Sequence, residues 1–122
     1  MDSKTRTVDK PWGHELIWAH TERYVGKILH IKKGHSLSLQ YHIKKDETIM
    51  VLKGKLAFEN YAENETSRTD ELGPLQPFHI TPGIRHRMTA LEDTDVVEVS
   101  TIELDDVVRL EDKYGRAGTS KP

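Results

Sequence analysis

The amino-acid sequence predicts an all-β fold, a sandwich or a barrel built from short strands. Segments in which apolar and polar residues alternate recur from Pro11 to Leu104, and glycine and proline residues separate them. Strands with one apolar face pack against a second sheet or close into a barrel. A chain of 122 residues is long enough for one such domain with a single core.

The predicted strands follow one another in chain order, each with the two-residue period of a half-buried strand. They cover residues 14–18, 24–31, 37–42, 47–52, 56–59, 78–80, 86–89 and 95–103. In the second of these strands, one face carries Val25, Lys27, Leu29 and Ile31. Gly34 and Gly54 stand where tight turns are expected, and residues 59–77 are predicted to form a solvated hairpin and loop.

The two ends of the chain differ from this pattern. Residues 1–10 are expected to be a flexible segment, residues 11–116 the single domain, and residues 117–122 a disordered tail. The segment DDVVRLEDKY at residues 105–114 is predicted to be a short helix. Asp105 or Asp106 is the expected cap at its start, and Gly115 is the expected residue at its end.

Charge and composition exclude several classes of protein. Eighteen basic and twenty acidic residues are mixed along the chain, without the basic stripe typical of nucleic-acid binders. No apolar run approaches the length of about 18 residues that marks a transmembrane helix, and the first ten residues lack a signal-peptide core. Cysteine is absent, so a metal ion must be held by nitrogen and oxygen atoms. We therefore predict a cytoplasmic protein that contacts neither membranes nor nucleic acid.

Polar side chains with metal-binding chemistry are predicted to meet where two successive strands join. Gln40 and His42 are two residues apart in an alternating segment, so they project from the same face. Glu47 begins the next apolar run, and the short turn at residues 44–46 returns the chain beside His42. His86 follows a Pro-Gly turn that starts another strand. Such a set suits one divalent ion, zinc being favoured over Mn, Fe, Ni or Co, with room left for water or substrate.

Two segments around these residues carry a family signature. The spacing G-x5-Q-x-H-x4-E-x6-G from Gly34 to Gly54 resembles the first cupin motif with glutamine in place of its first histidine. The sequence PGxxH ending at His86 resembles the core of the second motif. In detail the chain is similar to the C-terminal cupin domain of type II mannose-6-phosphate isomerases. The matching blocks are KPWG at residues 10–13, LSLQYHIKKDE at 37–47 and LDDVVRLEDKYGR at 104–116.

This resemblance implies a cupin double-stranded β-helix, that is, a jelly-roll barrel, with the short helix at its C-terminal end. It implies a metal centre made by Gln40, His42, Glu47 and His86. It also places Lys27 and Arg109 in catalysis, and Lys45 and Arg109 in substrate binding, because guanidinium and ammonium groups suit phosphate. The nucleotidyltransferase domain usually fused ahead of this cupin is not expected, since nine residues precede the first block.

Each of the three cations also has a purely structural alternative. Lys27 suits a solvated position on a strand, and Lys45 suits a flexible turn. Arg109 suits a helix surface, paired with a nearby aspartate at little energetic gain. Lys45 moreover stands where the family has an arginine, so the bidentate fork of that arginine is missing from this chain.

Three functions are compatible with the sequence. The first is aldose–ketose isomerisation of a sugar phosphate, with mannose 6-phosphate as the substrate implied by the resemblance. The second is other metal chemistry in the same fold, such as dioxygenation, which requires a redox-active ion. The third is a non-catalytic module that binds a sugar. A homodimer formed by N-terminal strands is also expected, because small β proteins often cover an exposed sheet edge in this way.

Overall fold

The computed structural model describes residues 4–116 and 118–119, which form twelve strands in two six-stranded antiparallel sheets. The strands are β1 Arg6–Lys10, β2 Gly13–His20, β3 Val25–Ile31, β4 Leu39–Tyr41, β5 Glu47–Lys53, β6 Leu56–Asn60, β7 Arg68–Leu72, β8 Pro77–Ile80, β9 His86–Ala90, β10 Thr94–Ser100, β11 Val108–Glu111 and β12 Gly118–Thr119. The first sheet has the order β1-β2-β3-β10-β5-β8, and the second has the order β12-β11-β4-β9-β6-β7. The all-β prediction is confirmed.

The hydrophobic core lies between the two sheets, where the inward faces of the strands meet. Alternation along each strand turns every second side chain inward, as in Glu47–Lys53, where positions 47, 49 and 51 are buried. The fully buried apolar residues include Leu29, Ile31, Ile49, Val51, Leu56, Phe58, Ile80 and Val96. Trp12 is 2% exposed and joins this cluster.

One end of the same interior is polar. Lys27 and Glu98 are cross-strand partners on β3 and β10, and both point inward. Two residues further along the same strands, the next inward-facing pair is Leu29 and Val96. The barrel interior therefore changes from charged to apolar over two residues along each strand. The candidate site lies at the charged end.

Tight turns at two glycines connect strands at the apolar end of the barrel. Gly34 and Gly54 have φ angles of 82° and 99°, a backbone region that L side chains rarely adopt. At Gly54 a β-carbon would also lie 2.5 Å from the carbonyl oxygen of Asp93. The turns expected from the sequence are therefore present, and the one at Gly54 accepts no larger residue.

The expected C-terminal helix is absent, and the prediction was wrong. Val108–Glu111 form β11, which pairs with β4 so that Val108 lies opposite Tyr41 and Arg109 opposite Gln40. The β-branched pair Val107 and Val108 favours an extended backbone, and pairing with β4 satisfies the backbone groups of both strands. Among the described residues there is no helix, and hence none that could cross a membrane.

Both chain ends contain strands where irregular structure was expected. Arg6–Lys10, within the segment expected to be flexible, forms β1 and pairs with β2 over five residues. Gly118–Thr119, within the expected disordered tail, forms β12 beside Val108 and Arg109. Residues 4–5 precede β1 and belong to no strand, and the rest of both predictions falls on residues 1–3, 117 and 120–122, which lie outside the described residues.

Candidate metal centre

The polar end of the barrel brings together three predicted metal ligands from different strands. His42 lies just after β4, Glu47 starts β5 in the opposite sheet, and His86 starts β9. One ligand atom from each lies within 4.8 Å of the other two. The Nε2 atom of His42 is 3.3 Å from Oε2 of Glu47, and that of His86 is 4.0 Å from Oε1. All three side chains are at most 4% exposed.

The backbone fixes which nitrogen of each imidazole faces the cluster. Nδ1 of His42 donates to the carbonyl oxygen of Asp106, and Nδ1 of His86 donates to that of Ile84 at 2.9 Å. In a neutral imidazole the other nitrogen, Nε2, then carries a lone pair. These two buried Nε2 atoms have no hydrogen-bond partner among the described residues. An ion at this point would satisfy them, so the residues present fit a divalent metal.

Burial lowers the pKa of His86 despite the nearby Glu47 carboxylate, which raises it. The imidazole of His86 is therefore held neutral, as metal ligation requires.

Gln40 lies beside the cluster, at the position that the sequence indicated. It is the cross-strand partner of His86, is half-buried, and lines the same cavity. The Ser38 hydroxyl donates to its Oε1 atom at 2.6 Å. This bond orients the amide oxygen, and an amide oxygen has a second lone pair that remains able to accept.

Lys45 is buried between two carboxylates rather than exposed in the turn. Its Nζ atom is 3.0 Å from Oε2 of Glu47 and 3.0 Å from Oε2 of Glu98. Burial alone would lower the pKa of Lys45, but Glu98 and Glu47 outweigh it and raise the pKa above its ordinary value. Burial would likewise raise the pKa of Glu47, but Lys45 and His42 lower it below the usual range. Lys45 and Glu47 are consequently both charged near neutral pH.

A cavity of about 50 Å³ opens to solvent and reaches this cluster at His42 and Glu47. Its lining includes Lys27 and Arg109, the two residues assigned to catalysis, which are 3% and 5% exposed. Nζ of Lys27 is 3.2 Å from Oε1 of Glu15, which is also buried. Arg109 points inward from β11, which replaces the expected helix surface, so the structural alternatives for Lys27 and Arg109 as solvated residues do not apply.

Two further cations, Lys10 and Arg116, line the same cavity. Burial lowers the pKa of Lys10, and Lys27, Arg116 and Arg109 lower it further against the opposing effect of Glu15. Burial also lowers the pKa of Arg109, and Arg116 acts in the same direction. Cations that depress one another's pKa in this way create a positive potential that an anion would relieve.

Asp106 fixes the turn that delivers Lys45 and Glu47 to the site. Its carboxylate accepts hydrogen bonds from the backbone N–H groups of Ile43, Lys44 and Lys45 at 3.0, 2.6 and 2.9 Å. Burial raises its pKa, but these three donors lower it below the ordinary value. The residue expected to cap a helix thus caps the β4–β5 turn instead, while its carbonyl orients His42.

The sequence analysis did not assign four charged residues of the cavity to the site: Lys10, Glu15, Glu98 and Arg116. A signal existed for two of them. Glu15 is two residues from Ile17, and Glu98 is two residues from Val96, so each shares a strand face with an apolar residue that is buried. Charged residues at such positions indicate partners or function. Lys10 and Arg116 lie near the chain ends, where no periodic pattern pointed to them.

Two longer bacterial proteins resemble this chain in sequence. It is 34% identical over 119 residues to the xanthan biosynthesis protein XanB of Xanthomonas campestris pv. campestris (strain B100). It is also 34% identical over 119 residues to the mannose-1-phosphate guanylyltransferase ManC of Salmonella typhimurium. Each match covers 91% of this chain but 24% and 23% of the relative, so the chain spans about a quarter of these proteins' length.

Solved structures of low sequence identity share the fold. Oxalate decarboxylase from Bacillus subtilis matches 88% of this chain and 30% of its own, with a TM-score of 0.75 and 18% identity. An RmlC-like cupin from Shewanella frigidimarina covers 83% of this chain and 86% of its own at a TM-score of 0.69 and 11% identity. The predicted cupin jelly roll is therefore confirmed. The family model described as "Mannose-6-phosphate isomerase C-terminal" matches residues 2–112, and the chain belongs to this family.

Proposed function

We propose that this chain is a metal-dependent isomerase that interconverts an aldose phosphate and a ketose phosphate, with mannose 6-phosphate as substrate. The observation that carries the proposal is one cavity that joins the His42, Glu47 and His86 cluster to a ring of cations. The cluster suits the two adjacent oxygens of a sugar carbonyl and hydroxyl. The cations suit the phosphate at the other end.

The metal ion, with zinc favoured, would be held by His42, Glu47, His86 and Gln40. When bound it would supply Lewis-acid polarisation of the sugar carbonyl, which acidifies the neighbouring C–H bond. The reaction moves one proton from C2 to C1 and shifts one hydroxyl proton between the two oxygens. No oxidant or reductant is needed, so the protein has only to bind, orient and transfer protons.

Proton transfer is assigned to the pair Lys27 and Glu15. Both are buried beside the cavity and 3.2 Å apart, which holds Lys27 oriented toward the interior. Glu47 is unsuited to this role, because Lys45 already engages its carboxylate and the metal ion would occupy it further. Arg109 then stabilises the negative charge that develops on the substrate oxygens, as a guanidinium in a site shielded from water does effectively.

The phosphate is assigned to Lys10 and Arg116, with Arg109 between them and the reacting carbons. Lys10 and Arg116 line the outer part of the charge cluster, and a phosphate dianion would relieve their mutual repulsion. Lys45 is less suited to phosphate than the sequence suggested, because its ammonium group already bridges Glu47 and Glu98.

The test is a coupled assay of mannose 6-phosphate conversion to fructose 6-phosphate after the purified protein has been loaded with Zn²⁺. We expect turnover in the wild type, its loss in Arg109→Ala and Lys27→Met, and full activity in His79→Ala, which alters an exposed histidine. In deuterated water, turnover should label the sugar carbon that receives the proton. Zinc binding without turnover or label exchange would contradict the isomerase proposal.

A sugar-binding module without catalysis is the second candidate, and Lys45 is the observation that favours it. A lysine whose Nζ atom lies 3.0 Å from Glu47 neutralises the carboxylate that an ion would otherwise bind. Retained binding of mannose 6-phosphate by a protein that takes up no metal would support this candidate. We also expect a homodimer formed through β1, an edge strand of the first sheet, which light scattering of the purified protein would check.

A further inference from the structure

The outer face of the first sheet carries four metal-binding side chains in one row. Asp9 on β1 lies opposite His14 on β2, His14 lies opposite His30 on β3, and His30 lies opposite Asp95 on β10. His14, His30 and Asp95 alternate with buried neighbours along their own strands, so they project away from the barrel interior. Asp9 is exposed and shares their face as the cross-strand partner of His14. Direct cross-strand partners on one face are neighbours in space. We call these four residues the outer histidine row.

Two contacts within the row hold its imidazole rings in place. The rings of His14 and His30 stack with their centroids 5.1 Å apart and an angle of 22° between their planes. Nδ1 of His30 lies 2.6 Å from Oδ1 of Asp95. An ionised carboxylate only accepts, so Nδ1 of His30 carries the proton and its Nε2 keeps a lone pair. A carboxylate that orients an imidazole in this way is the usual second partner of a ligating histidine.

We propose that the outer histidine row binds one first-row transition ion such as Zn²⁺, Ni²⁺ or Cu²⁺. His14 and His30 supply imidazole nitrogens, Asp9 supplies a carboxylate oxygen, and Asp95 positions His30. Imidazole with carboxylate is a ligand set that these ions favour. Among the described residues, only the inner cluster has three ligand atoms within 4.8 Å of one another. Binding of an ion by the outer row therefore requires side-chain rotation, which the exposure of Asp9 and the partial exposure of His14 and His30 permit.

A second His–Asp pair on the surface lacks the neighbouring imidazole that the outer histidine row has. Nε2 of His79 lies 2.6 Å from Oδ1 of Asp46, the same separation as in the His30–Asp95 pair. The cross-strand partner of His79 is Thr48, so no second imidazole stands opposite it on β5. One imidazole and one carboxylate hold an ion weakly, and His79 is the matched control for the row.

The outer histidine row is separate from the inner cluster, because it lies on the opposite face of the sheet from Glu15, Lys27 and Glu98. The proposal therefore does not rest on the isomerase assignment. Its test is a count of bound zinc by elemental analysis after equilibration with Zn²⁺ in chelator-free buffer. The wild type, His14→Ala/His30→Ala and His79→Ala are compared.

We expect the His14→Ala/His30→Ala protein to bind one zinc equivalent fewer than the wild type, and His79→Ala to bind as many as the wild type. This difference holds whether or not the inner centre takes up zinc. Equal zinc content in the double variant and the wild type would overturn the proposal, as would an equal loss in His79→Ala. In the His42→Ala/His86→Ala background, a Ni²⁺ titration should still show one site, which disappears when His14 and His30 are also replaced.

Discussion

The same strands build both halves of the barrel interior, but ion pairs compensate the buried charges of the polar half, whereas burial of apolar side chains stabilises the other half. On β5, Glu47 and Val51 point into one interior four residues apart, yet the first is held by Lys45 and His42 and the second by apolar neighbours. Burial of an apolar side chain is favourable by itself, about 1.5–3 kcal/mol for a residue such as valine or leucine. Burial of a charge is unfavourable unless a partner compensates it.

This difference explains how a small protein can bury several charged groups without a large loss of stability. In the polar half, Lys45 bridges Glu47 and Glu98, and Lys27 contacts Glu15, so each buried carboxylate of the cavity has a cation at about 3 Å. The stability of the apolar half depends only on apolar side chains that fill the space between the sheets. Substitutions in the polar half should therefore depend on metal and pH, whereas those in the apolar half should not.

The largest expected effect is that of Lys45→Met, which removes the cation shared by two buried carboxylates. In metal-free protein we expect a loss of about 3–5 kcal/mol in the free energy of unfolding, because Glu47 and Glu98 are left unneutralised. Urea denaturation measures it. Added Zn²⁺ should restore most of the loss by taking the place of the ammonium group. Lys44→Met, which alters the exposed neighbour, is the control.

The pH dependence of this variant should differ from that of the wild type. Lys45 lowers the folded pKa of Glu47, so this stabilisation is fully present above the unfolded carboxyl pKa of about 4.3 and is lost as pH falls below it. Without Lys45, burial should raise the folded pKa of Glu47 instead, and lowering the pH from 7 to 5 should then stabilise the variant. Parallel profiles for both proteins between pH 7 and 5 would contradict this account.

Leu56→Ala should destabilise the apolar half by about 2–5 kcal/mol through lost burial and a remaining cavity. Leu56 is 0% exposed and lies in the core cluster. Because the effect depends on volume alone, neither zinc nor a pH between 5 and 7 should change the measured loss. Leu91→Ala, at a position that is 42% exposed, should cost far less. Rescue of Leu56→Ala by zinc would show that the two halves are coupled.

Asp106→Ala should have the smallest of the three effects, a loss of about 1–3 kcal/mol, because it leaves three backbone N–H groups of the β4–β5 turn without their acceptor. The folded pKa of Asp106 is lowered, so its contribution is complete above about pH 4 and is lost as pH falls through the folded value. The difference between Asp106→Ala and wild type should consequently shrink in acid. Asp105→Ala, at the exposed neighbouring position, should leave the unfolding curve unchanged.

Much of the fold could be predicted because strand periodicity is a local property. The strands at residues 25–31 and 47–53 are close to those expected, and Lys27 and Glu47 lie on the apolar faces that alternation identified, both of which are buried. The failure at residues 105–114 has the opposite origin. Aspartates followed by a polar, periodic segment also suit a helix, and only the edge of β4, distant in sequence, makes that segment a strand.

The sequence by itself determined the all-β class, the glycine turns and the residue types of the metal cluster, because these depend on spacing within one or two strands. Only the tertiary structure decided that Lys45 lies between Glu47 and Glu98, that Asp106 caps a turn rather than a helix, and that Lys10 and Arg116 reach the cavity. These contacts join segments up to about a hundred residues apart. Their geometry follows from strand register and sheet order, which no local pattern encodes.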